Sequence, residues 1–323
     1  MHRIDWIGSQ LAAMPAVTER LFQDGWGDLS VVTGDLARVP EVLGQPFEQK
    51  DPQLRNGYTI TDLRFPSPYE LLPAASRTGY VRLIEPPDPK RVVLLMAAFN
   101  EHGYETRQAI GRYLLDQNVA VAILENPFYG LRCQSDGQPL RTAANLLAMG
   151  VGAVWDGLEV LAWLRHRRSW TVGVAGYSMG ANTAALVTSA SKLPIACAAL
   201  AASHSPGPVF TKGALKASVD WAALGGASAV DRLGELFGQA SVLRFDPPPH
   251  SAAAVILGIR GDGYVLPEAT TALANHWPGS ELEWSKGGHA TVLWIHKRRL
   301  ADLIVRSFDR LDDLAGAATA LQP

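Results

Sequence analysis

The sequence is poor in cysteine and in charged residues. It has two cysteines in 323 residues, Cys133 and Cys197, which are too few for a disulfide framework or a cysteine-rich metal site. Charged residues make up 19% of the chain, against roughly 25% in an average globular domain. Their signs almost cancel, since 29 Lys and Arg stand against 31 Asp and Glu. The chain therefore lacks the basic excess that favours nucleic acid, and so few cysteines indicate a reducing compartment.

No hydrophobic run approaches the ~20 residues that span a bilayer. The longest apolar runs are residues 92–99 and 195–202. The first ten residues include Asp5, where a signal peptide would have its apolar core. We therefore predict a cytoplasmic protein without a transmembrane segment, a cofactor, a metal or a nucleic-acid partner. Peripheral contact with lipid and the oligomeric state stay open.

Hydrophobic residues make up 47% of the chain, which is enough for a large core. From residue 91 onward, short apolar runs of strand length alternate with segments of helical spacing. The predicted strands are residues 91–99, 119–124, 171–175, 193–201, 253–259 and 281–284. Such an alternation indicates a mostly parallel sheet with helices on both faces. The expected fold class is therefore α/β.

Two segments stand outside this alternation. Residues 1–58 have apolar residues at mixed spacing, and we predict an N-terminal extension of short helices that packs on the main body. Residues 205–250 form a connection longer than usual, with helical patches at 212–224 and 229–237. We predict that this insertion is a lid over the strand ends. The chain is then a single domain, closed by a helix over residues 290–314 and a frayed end.

The clearest motif is GYSMG at residues 176–180, which matches the G-x-S-x-G nucleophile elbow. It follows a predicted strand and precedes a predicted helix over residues 180–189, which is the context that the motif requires. An ordinary glycine-rich turn is the alternative. The context predicts Ser178 as a nucleophile. The backbone N–H of Met179, at the helix start, is expected to stabilise an oxyanion.

A serine nucleophile needs a base, and the base needs an orienting carboxylate. His289 follows the last predicted strand directly, where a loop can bring an imidazole to the sheet edge; a helix-capping role is the alternative. Asp262 follows the predicted strand 253–259 in a glycine-rich turn, and Glu268 is the alternative acid. We therefore predict a triad of Ser178, Asp262 and His289, in the chain order of this fold.

The substrate is expected at the carboxyl ends of the parallel strands, where open α/β sheets bind ligands. The loop after residue 96 is predicted to supply the second oxyanion donor, the N–H of Phe99, with Asn100 as the alternative. Glu125 has a competing interpretation, in which its carboxylate anchors its own loop through backbone amides. For His102 and the adjacent Glu101, the alternative to orienting substrate is that they only fix their loop. The residues predicted to contact substrate are Asn100, His102, Glu125, Phe128, Tyr129 and Tyr177.

Several longer motifs carry a resemblance: MAAFNEHGY at 96–104, ENPFYG at 125–130, GYSMG at 176–180, PVFTKGALKASVDW at 208–221, GDGYVLP at 261–267 and WPGSELEWSKGGH at 277–289. Through them the chain resembles the α/β-hydrolases and, more narrowly, the family of alpha/beta hydrolase domain-containing protein eighteen. The resemblance implies a serine-nucleophile fold with Ser178, Asp262 and His289 at the matching positions. The sequence departs from the family's usual pattern at residues 97–100, which read AAFN instead of AGTG, and at Ala181, where a further glycine is usual.

The expected function is that of a serine hydrolase that cleaves a carboxylic ester or thioester, with acyl lipids among the candidate small-molecule substrates. Acyl transfer to another alcohol uses the same acyl-enzyme and remains an alternative. A peptidase on the same fold is a second alternative. A non-catalytic binding protein that keeps the fold is a third.

Overall fold

The computed structural model describes residues 1–6, 19–31, 47–133, 138–167 and 169–320. Its centre is a sheet of ten described strands in the order β1-β3-β4-β6-β5-β7-β8-β9-β10, with β2 paired to β3. The strands are β1 (Glu48–Gln49), β2 (Gln53–Arg55), β3 (Tyr58–Pro66), β4 (Thr78–Glu85), β5 (Arg91–Met96), β6 (Val119–Leu124), β7 (Thr171–Tyr177), β8 (Ala196–Leu200), β9 (Val255–Ile259) and β10 (Glu281–Ser285). In the order of the sheet, the neighbouring pairs β6-β5, β5-β7, β7-β8, β8-β9 and β9-β10 are parallel. The pairs β3-β4 and β4-β6 are antiparallel.

Helices pack on both faces of the sheet. The labelled helices, of which α4 and α5 belong to the insertion, are α1 (Glu105–Leu115), α2 (Ala143–Arg167), α3 (Met179–Ala190), α4 (Pro206–Thr211), α5 (Ala229–Gly238), α6 (Pro267–His276), α7 (His289–Ile295) and α8 (Lys297–Ala320). Residues of α2 and α3 share one buried hydrophobic cluster with the sheet, and residues of α1 and α8 share the cluster on the other face. The α/β class predicted from the alternation is confirmed.

The C-terminal helix differs from the prediction in two ways. The predicted helix over residues 290–314 is broken at His296, whose φ of −105° and ψ of 31° leave helical geometry. The two helices on either side of the break have different positions. Helix α7 begins at His289 on the sheet edge, whereas α8 packs Leu300 and Phe308 against the sheet. Residues 315–320 continue α8 instead of fraying, as their alanine content favours.

The insertion of residues 205–250 and the N-terminal residues 19–31 share a third hydrophobic cluster, together with the first turns of α2. Its centre is aromatic. Phe210 of α4 lies 5.8 Å from Phe22 and 5.4 Å from Phe237 of α5, between ring centroids. This cluster therefore joins the insertion to α2, to the loop after β6 and to a segment from the start of the chain.

Two local expectations outside the sheet are wrong. The helical patch expected at residues 212–224 is a single 3-10 turn at Ala214–Ser218. The helix lies earlier, at α4, where Ser205 caps Gly207 N–H and Pro206 takes the first position, which suits a helix start. Among residues 1–58, the described residues 48–55 form β1 and β2 instead of helices. Residues 7–18 and 32–46 of the expected extension lie outside the described residues.

In the described part of the chain, one helix is long and apolar enough to cross a membrane. It is the stretch Ala143–His166 of α2, within which an 18-residue segment has a mean hydropathy of 1.4 and is 83% buried inside the protein. Its residues contribute to the sheet cluster and to the third cluster. The apolar character on several sides of α2 is therefore explained by its place between two cores.

Candidate active site

The elbow between β7 and α3 holds Ser178 in a strained backbone conformation. Its φ is 59° and its ψ is −119°, and such a backbone in a residue other than glycine costs about 1–3 kcal/mol. The strain is held by hydrogen bonds on both sides. Ser178 N–H donates to Leu200 O of β8 at 2.9 Å, and Ser178 O accepts from Ala181 N–H at 3.0 Å. The serine side chain is thereby presented at the carboxyl edge of the sheet.

The two glycines of the elbow are required by close packing. A Cβ on Gly176 would overlap the backbone of Gly180, and a Cβ on Gly180 would overlap the carbonyl oxygen of Met96 at the end of β5. The turn can pass this close to β5 only without side chains. Ala181, where the family usually has another glycine, is fully buried against the sheet.

Asp262 and His289 are joined directly. Nδ1 of His289 lies 2.6 Å from Oδ2 of Asp262, and the two side chains are 12% and 1% exposed. The other carboxylate oxygen, Oδ1, accepts from the N–H groups of Tyr264 and Val265, both at 2.8 Å. Because an ionised carboxylate only accepts, it places the ring proton on Nδ1. Nε2 then remains as the acceptor nitrogen.

Tyr177 fixes the backbone of the same histidine. Its hydroxyl donates to His289 O at 2.6 Å, and the two ring centroids lie 5.0 Å apart. Burial, together with the charges of Asp262 and Asp5, raises the pKa of the Tyr177 hydroxyl well above its usual value. The hydroxyl therefore stays protonated and remains a donor. Tyr264 packs on the His289 ring as well, at 5.2 Å.

Ser178 and His289 line one cavity of about 240 Å³. Most of its lining is apolar, and the insertion supplies part of it. The apolar lining residues are Ala98, Phe99, Leu146, Met179, Pro206, Val209, Phe210, Leu215, Val265, Ala290, Leu293 and Trp294. The polar lining residues other than Ser178, His289, Tyr177 and Tyr264 are Asn182, Ser203 and Ser205. Sequence reasoning missed these three residues and Leu146, although Ser203 and Ser205 follow β8 at the edge where the pocket was expected.

The loop after β5 is held by a buried ion pair. Ala98 N–H donates to Oε2 of Glu101 at 3.0 Å, and Oε1 of Glu101 accepts from Nε of Arg107 at 2.8 Å. Arg107 is 4% exposed and donates to Gly103 O at 2.7 Å. Ala98 N–H is therefore occupied. Asn100 has a φ of 57°, which asparagine tolerates better than most residues, so it can stand where the family usually has glycine.

The backbone N–H groups of Phe99 and Met179 are the two predicted oxyanion donors. Phe99 and Met179 both line the cavity with Ser178. Within the described residues, neither of their backbone N–H groups donates a hydrogen bond to another backbone group. Both groups are thus available to a ligand. Their role as donors stays a prediction.

Of the six residues predicted to contact substrate, Tyr177 alone lines this cavity. Phe128 and Tyr129 are buried in the third cluster. His102 is exposed, and its Nδ1 accepts from Gly130 N–H at 3.1 Å while its ring packs on Tyr129. Asn100 is exposed on the loop after β5. The contacts of His102 join the loop after β5 to the loop after β6. Substrate contact by Asn100, His102, Phe128 and Tyr129 stays a prediction.

Glu125 is the sixth of these residues and is fully buried. Its Oε1 accepts from Gly103 N–H at 3.2 Å, whereas Oε2 has no hydrogen-bond partner among the described residues. Burial raises the pKa of this carboxyl, and the nearby Arg107 opposes the shift. The contact with Gly103 anchors the neighbouring loop after β5, whereas the alternative that the sequence left open was anchoring of the loop that Glu125 itself begins.

Cys197 is buried in β8 and does not line this cavity. Burial raises the pKa of the Cys197 thiol to about 12, so it carries no thiolate near neutral pH. In the part of the chain that the structure describes, no cluster of three or more His, Cys, Asp or Glu residues could hold a metal ion.

The chain matches a known protein family and the fold of several solved structures. A family model described as Alpha/beta hydrolase domain containing 18 matches residues 19–234 and 228–310. A cold-adapted esterase from an Arctic intertidal metagenomic library, solved with bound PEG, is 13% identical, with a TM-score of 0.52 over 80% of this chain and 99% of that chain. The acetyl xylan esterase of Paenibacillus sp. R4 is 12% identical, with a TM-score of 0.57 over 81% of this chain and 88% of that one.

A prolyl endopeptidase also shares the architecture. It is 14% identical, with a TM-score of 0.54, over 79% of this chain and 39% of the peptidase. At such identities these structures share the fold and nothing finer, because one fold hosts many activities.

Proposed function

Because the chain belongs to the alpha/beta hydrolase domain containing 18 family, we propose that it is a serine hydrolase that cleaves a carboxylic ester or thioester through an acyl-enzyme on Ser178. Family membership and esterase neighbours support hydrolase activity in general. The observation that carries the finer proposal is the bond between Asp262 and Nδ1 of His289, on the same cavity as Ser178. Nucleophile, base and orienting acid are the three groups that acyl transfer needs.

In the first half of the reaction, Oγ of Ser178 attacks the carbonyl carbon of the ester. Nε2 of His289 takes the hydroxyl proton, and Asp262 stabilises the imidazolium that forms. The carbonyl oxygen becomes an oxyanion, which the N–H groups of Phe99 and Met179 stabilise. His289 then gives the proton to the leaving alcohol or thiol as the carbon–oxygen or carbon–sulfur bond breaks. The acyl group remains on Ser178.

In the second half, water attacks the acyl-enzyme. His289 takes a proton from the water, the same two N–H groups hold the oxyanion, and the proton returns to Oγ of Ser178 as the acid is released. If another alcohol replaces water at this point, the same groups perform acyl transfer.

The substrate class is proposed from the cavity. Its lining is mainly apolar, with Leu146, Val209 and Phe210 among the contributing side chains. An acyl chain is stabilised in such a cavity by burial of its surface, at about 0.8 kcal/mol per CH₂. We therefore favour esters of medium or long acyl chains over acetyl esters.

The proposal is tested with a fluorophosphonate probe, which reacts with an activated serine. The expected result is a single covalent adduct on the peptide that contains Ser178, identified by mass spectrometry. The adduct should be absent in Ser178→Ala and retained in Ser189→Ala, which changes a serine near the far end of the same helix, α3. If the probe leaves Ser178 unmodified in folded protein, the proposed acyl-enzyme on Ser178 is contradicted.

A further inference from the structure

Asp5 lies at the triad although it is 284 positions from His289. Residues 3–6 form one helical turn, and Asp5 is 1% exposed while its neighbours Arg3, Ile4 and Trp6 are exposed. We refer to residues 1–6 as the N-terminal strap. The strap precedes the region of the chain that the family model matches, which begins at residue 19.

The carboxylate of Asp5 joins the two loops that carry the acid and the base. Its Oδ2 accepts from Gly263 N–H at 3.2 Å and from His289 N–H at 2.8 Å. Its Oδ1 accepts from Ala290 N–H at 3.2 Å. Gly263 is the residue after the acid Asp262, and His289 is the base itself. One buried carboxylate therefore accepts from both sides of the Asp262–His289 pair.

The glycines of these loops make room for the strap. A Cβ on Gly288 would lie 2.5 Å from Cβ of His2 and 2.8 Å from Oδ2 of Asp5. A Cβ on Gly263 would overlap Met1. His2 N–H also donates to Gly261 O at 2.8 Å. The glycines around Asp262 and His289 thus serve close packing of the strap as well as the turns themselves.

The contacts of His289 explain why Asp5 matters for the reaction. The backbone of His289 is held at both ends, by Asp5 at its N–H and by the Tyr177 hydroxyl at its carbonyl. The imidazole position follows from the position of this backbone. A displacement of about 1 Å in a reacting group can cost about 10²-fold in rate.

From these contacts we infer that Asp5 is a positioning residue for the acid and the base, and that the N-terminal strap completes the active site by tying their loops together. The inference rests on the proposed serine-hydrolase function. Asp5 acts through the backbone of His289 and Gly263 and does not itself touch the reacting atoms. Since three N–H groups converge on it, a side chain with two acceptor oxygens is needed, and asparagine supplies one.

The test compares Asp5→Ala and Asp5→Asn with the parent chain, using Arg3→Ala as the matched control. Arg3 belongs to the same helical turn and is exposed. Steady-state kinetics on p-nitrophenyl butyrate, normalised to active sites counted by fluorophosphonate labelling, give kcat and KM. Asp5→Ala should lower kcat per active site by about 10–100-fold with KM unchanged. Asp5→Asn should show a smaller loss, and Arg3→Ala should equal the parent.

A parent-like kcat in Asp5→Ala would overturn the inference, and so would a loss that is fully accounted for by fewer active sites. If Asp5→Ala does not fold, Asp5→Asn decides: a parent-like kcat per active site in this near-isosteric variant overturns the inference.

A second readout does not depend on turnover. The Nδ1 proton of His289, bonded to Asp262, should give a strongly downfield proton NMR signal, assigned by its absence in His289→Gln. The signal should be present in the parent and in Arg3→Ala, and lost or shifted in Asp5→Ala or Asp5→Asn. An unchanged signal in a folded Asp5 variant overturns the inference, whereas a parent with this signal but an unlabelled Ser178 would contradict the proposed function instead.

Discussion

Asp262 holds His289 through one carboxylate oxygen and is itself held through the other. Oδ2 lies 2.6 Å from Nδ1 of the imidazole, while Oδ1 accepts from two consecutive N–H groups of its own loop. The carboxylate can therefore neither rotate nor exchange oxygens without losing hydrogen bonds. This rigidity orients the ring towards the cavity that contains Ser178, and it is the basis of the prediction for Asp262→Asn.

Ser178→Ala should abolish ester turnover while the fold persists. Alanine removes Oγ and keeps the small volume that the elbow tolerates, although the positive φ of 59° remains. A residual ~10³–10⁴-fold enhancement over water can persist in triad variants through oxyanion stabilisation and binding. Hydrolysis of p-nitrophenyl butyrate and thermal unfolding measure the two effects. Turnover by Ser178→Ala at the parent rate would show that Ser178 is not the nucleophile.

Asp262→Asn should lower kcat by up to ~10⁴-fold, since the amide keeps the shape but no longer selects the working tautomer of His289. Glu268→Gln is the matched control, because Glu268 is exposed in the first turn of α6. Its kcat should equal that of the parent. If instead Asp262→Asn keeps the parent kcat and Glu268→Gln has a strongly lowered kcat, Glu268 is the acid.

The Glu101–Arg107 pair should control kcat through the loop after β5. Glu101→Gln weakens a nearly buried ion pair that fixes Ala98 N–H next to Phe99. We expect a lower kcat at similar KM, bounded by the ~10²–10³-fold cost of losing one oxyanion donor. Glu48→Gln, which breaks an exposed ion pair with Arg64, is the control and should have no effect. An unchanged kcat in Glu101→Gln would show that this pair does not position the loop for catalysis.

Glu125 should make stability depend on pH. Burial raises its pKa in the folded protein above the unfolded value, so the unfolded chain loses the proton first. The stability that this group contributes is full below the unfolded pKa and is lost as the pH rises through the folded pKa. Glu125→Gln should remove this loss, and its melting temperature relative to the parent should rise with increasing pH. A variant that is less stable than the parent at pH 8 by the same margin as at acidic pH would contradict the assignment.

The proposed triad could be read from the sequence because each of its residues lies close to the end of a regular element. Ser178 stands between a strand and a helix, and His289 follows the last strand, so local patterns place both at the same sheet edge. Their joint placement on one cavity agrees with that reasoning. Local patterns do not determine which loop residues are covered by remote segments. Phe128 and Tyr129 follow β6 at the expected edge, yet they are buried in the third cluster.

The break at His296 and the role of Asp5 had no local signal either. Residues 296–299 read HKRR and contain no glycine or proline, so no helix-breaking residue marks the break at His296. Asp5 contacts Gly263 and His289 across almost the whole chain. From the local sequence, Asp5 cannot be told apart from an ordinary exposed carboxylate in a short N-terminal segment. Its partners are defined by tertiary structure alone.

The cavity predicts a dependence of rate on acyl-chain length. Its wall includes Leu146 of α2 and Val209 of α4, and Phe99 and Phe210 meet edge to face. Each added CH₂ that enters this lining should raise kcat/KM, by up to about fourfold if it contributes about 0.8 kcal/mol. A p-nitrophenyl ester series from acetate to longer chains should therefore rise to an optimum and then level off. A maximum at acetate with a steady decline would contradict the acyl-chain proposal and leave the hydrolase proposal intact.

Leu146→Trp tests whether the acyl chain occupies this cavity. A larger side chain at the wall removes volume from the lining, so the optimum should move to shorter chains while acetate turnover stays close to that of the parent. The control is Leu54→Trp, since Leu54 is 78% exposed on β2 and its enlargement leaves the cavity unchanged. A parent-like chain-length profile in folded Leu146→Trp would show that the chain binds elsewhere. In that case the apolar face of the insertion serves the third cluster, in which Phe210 already packs against Phe22 and Phe237.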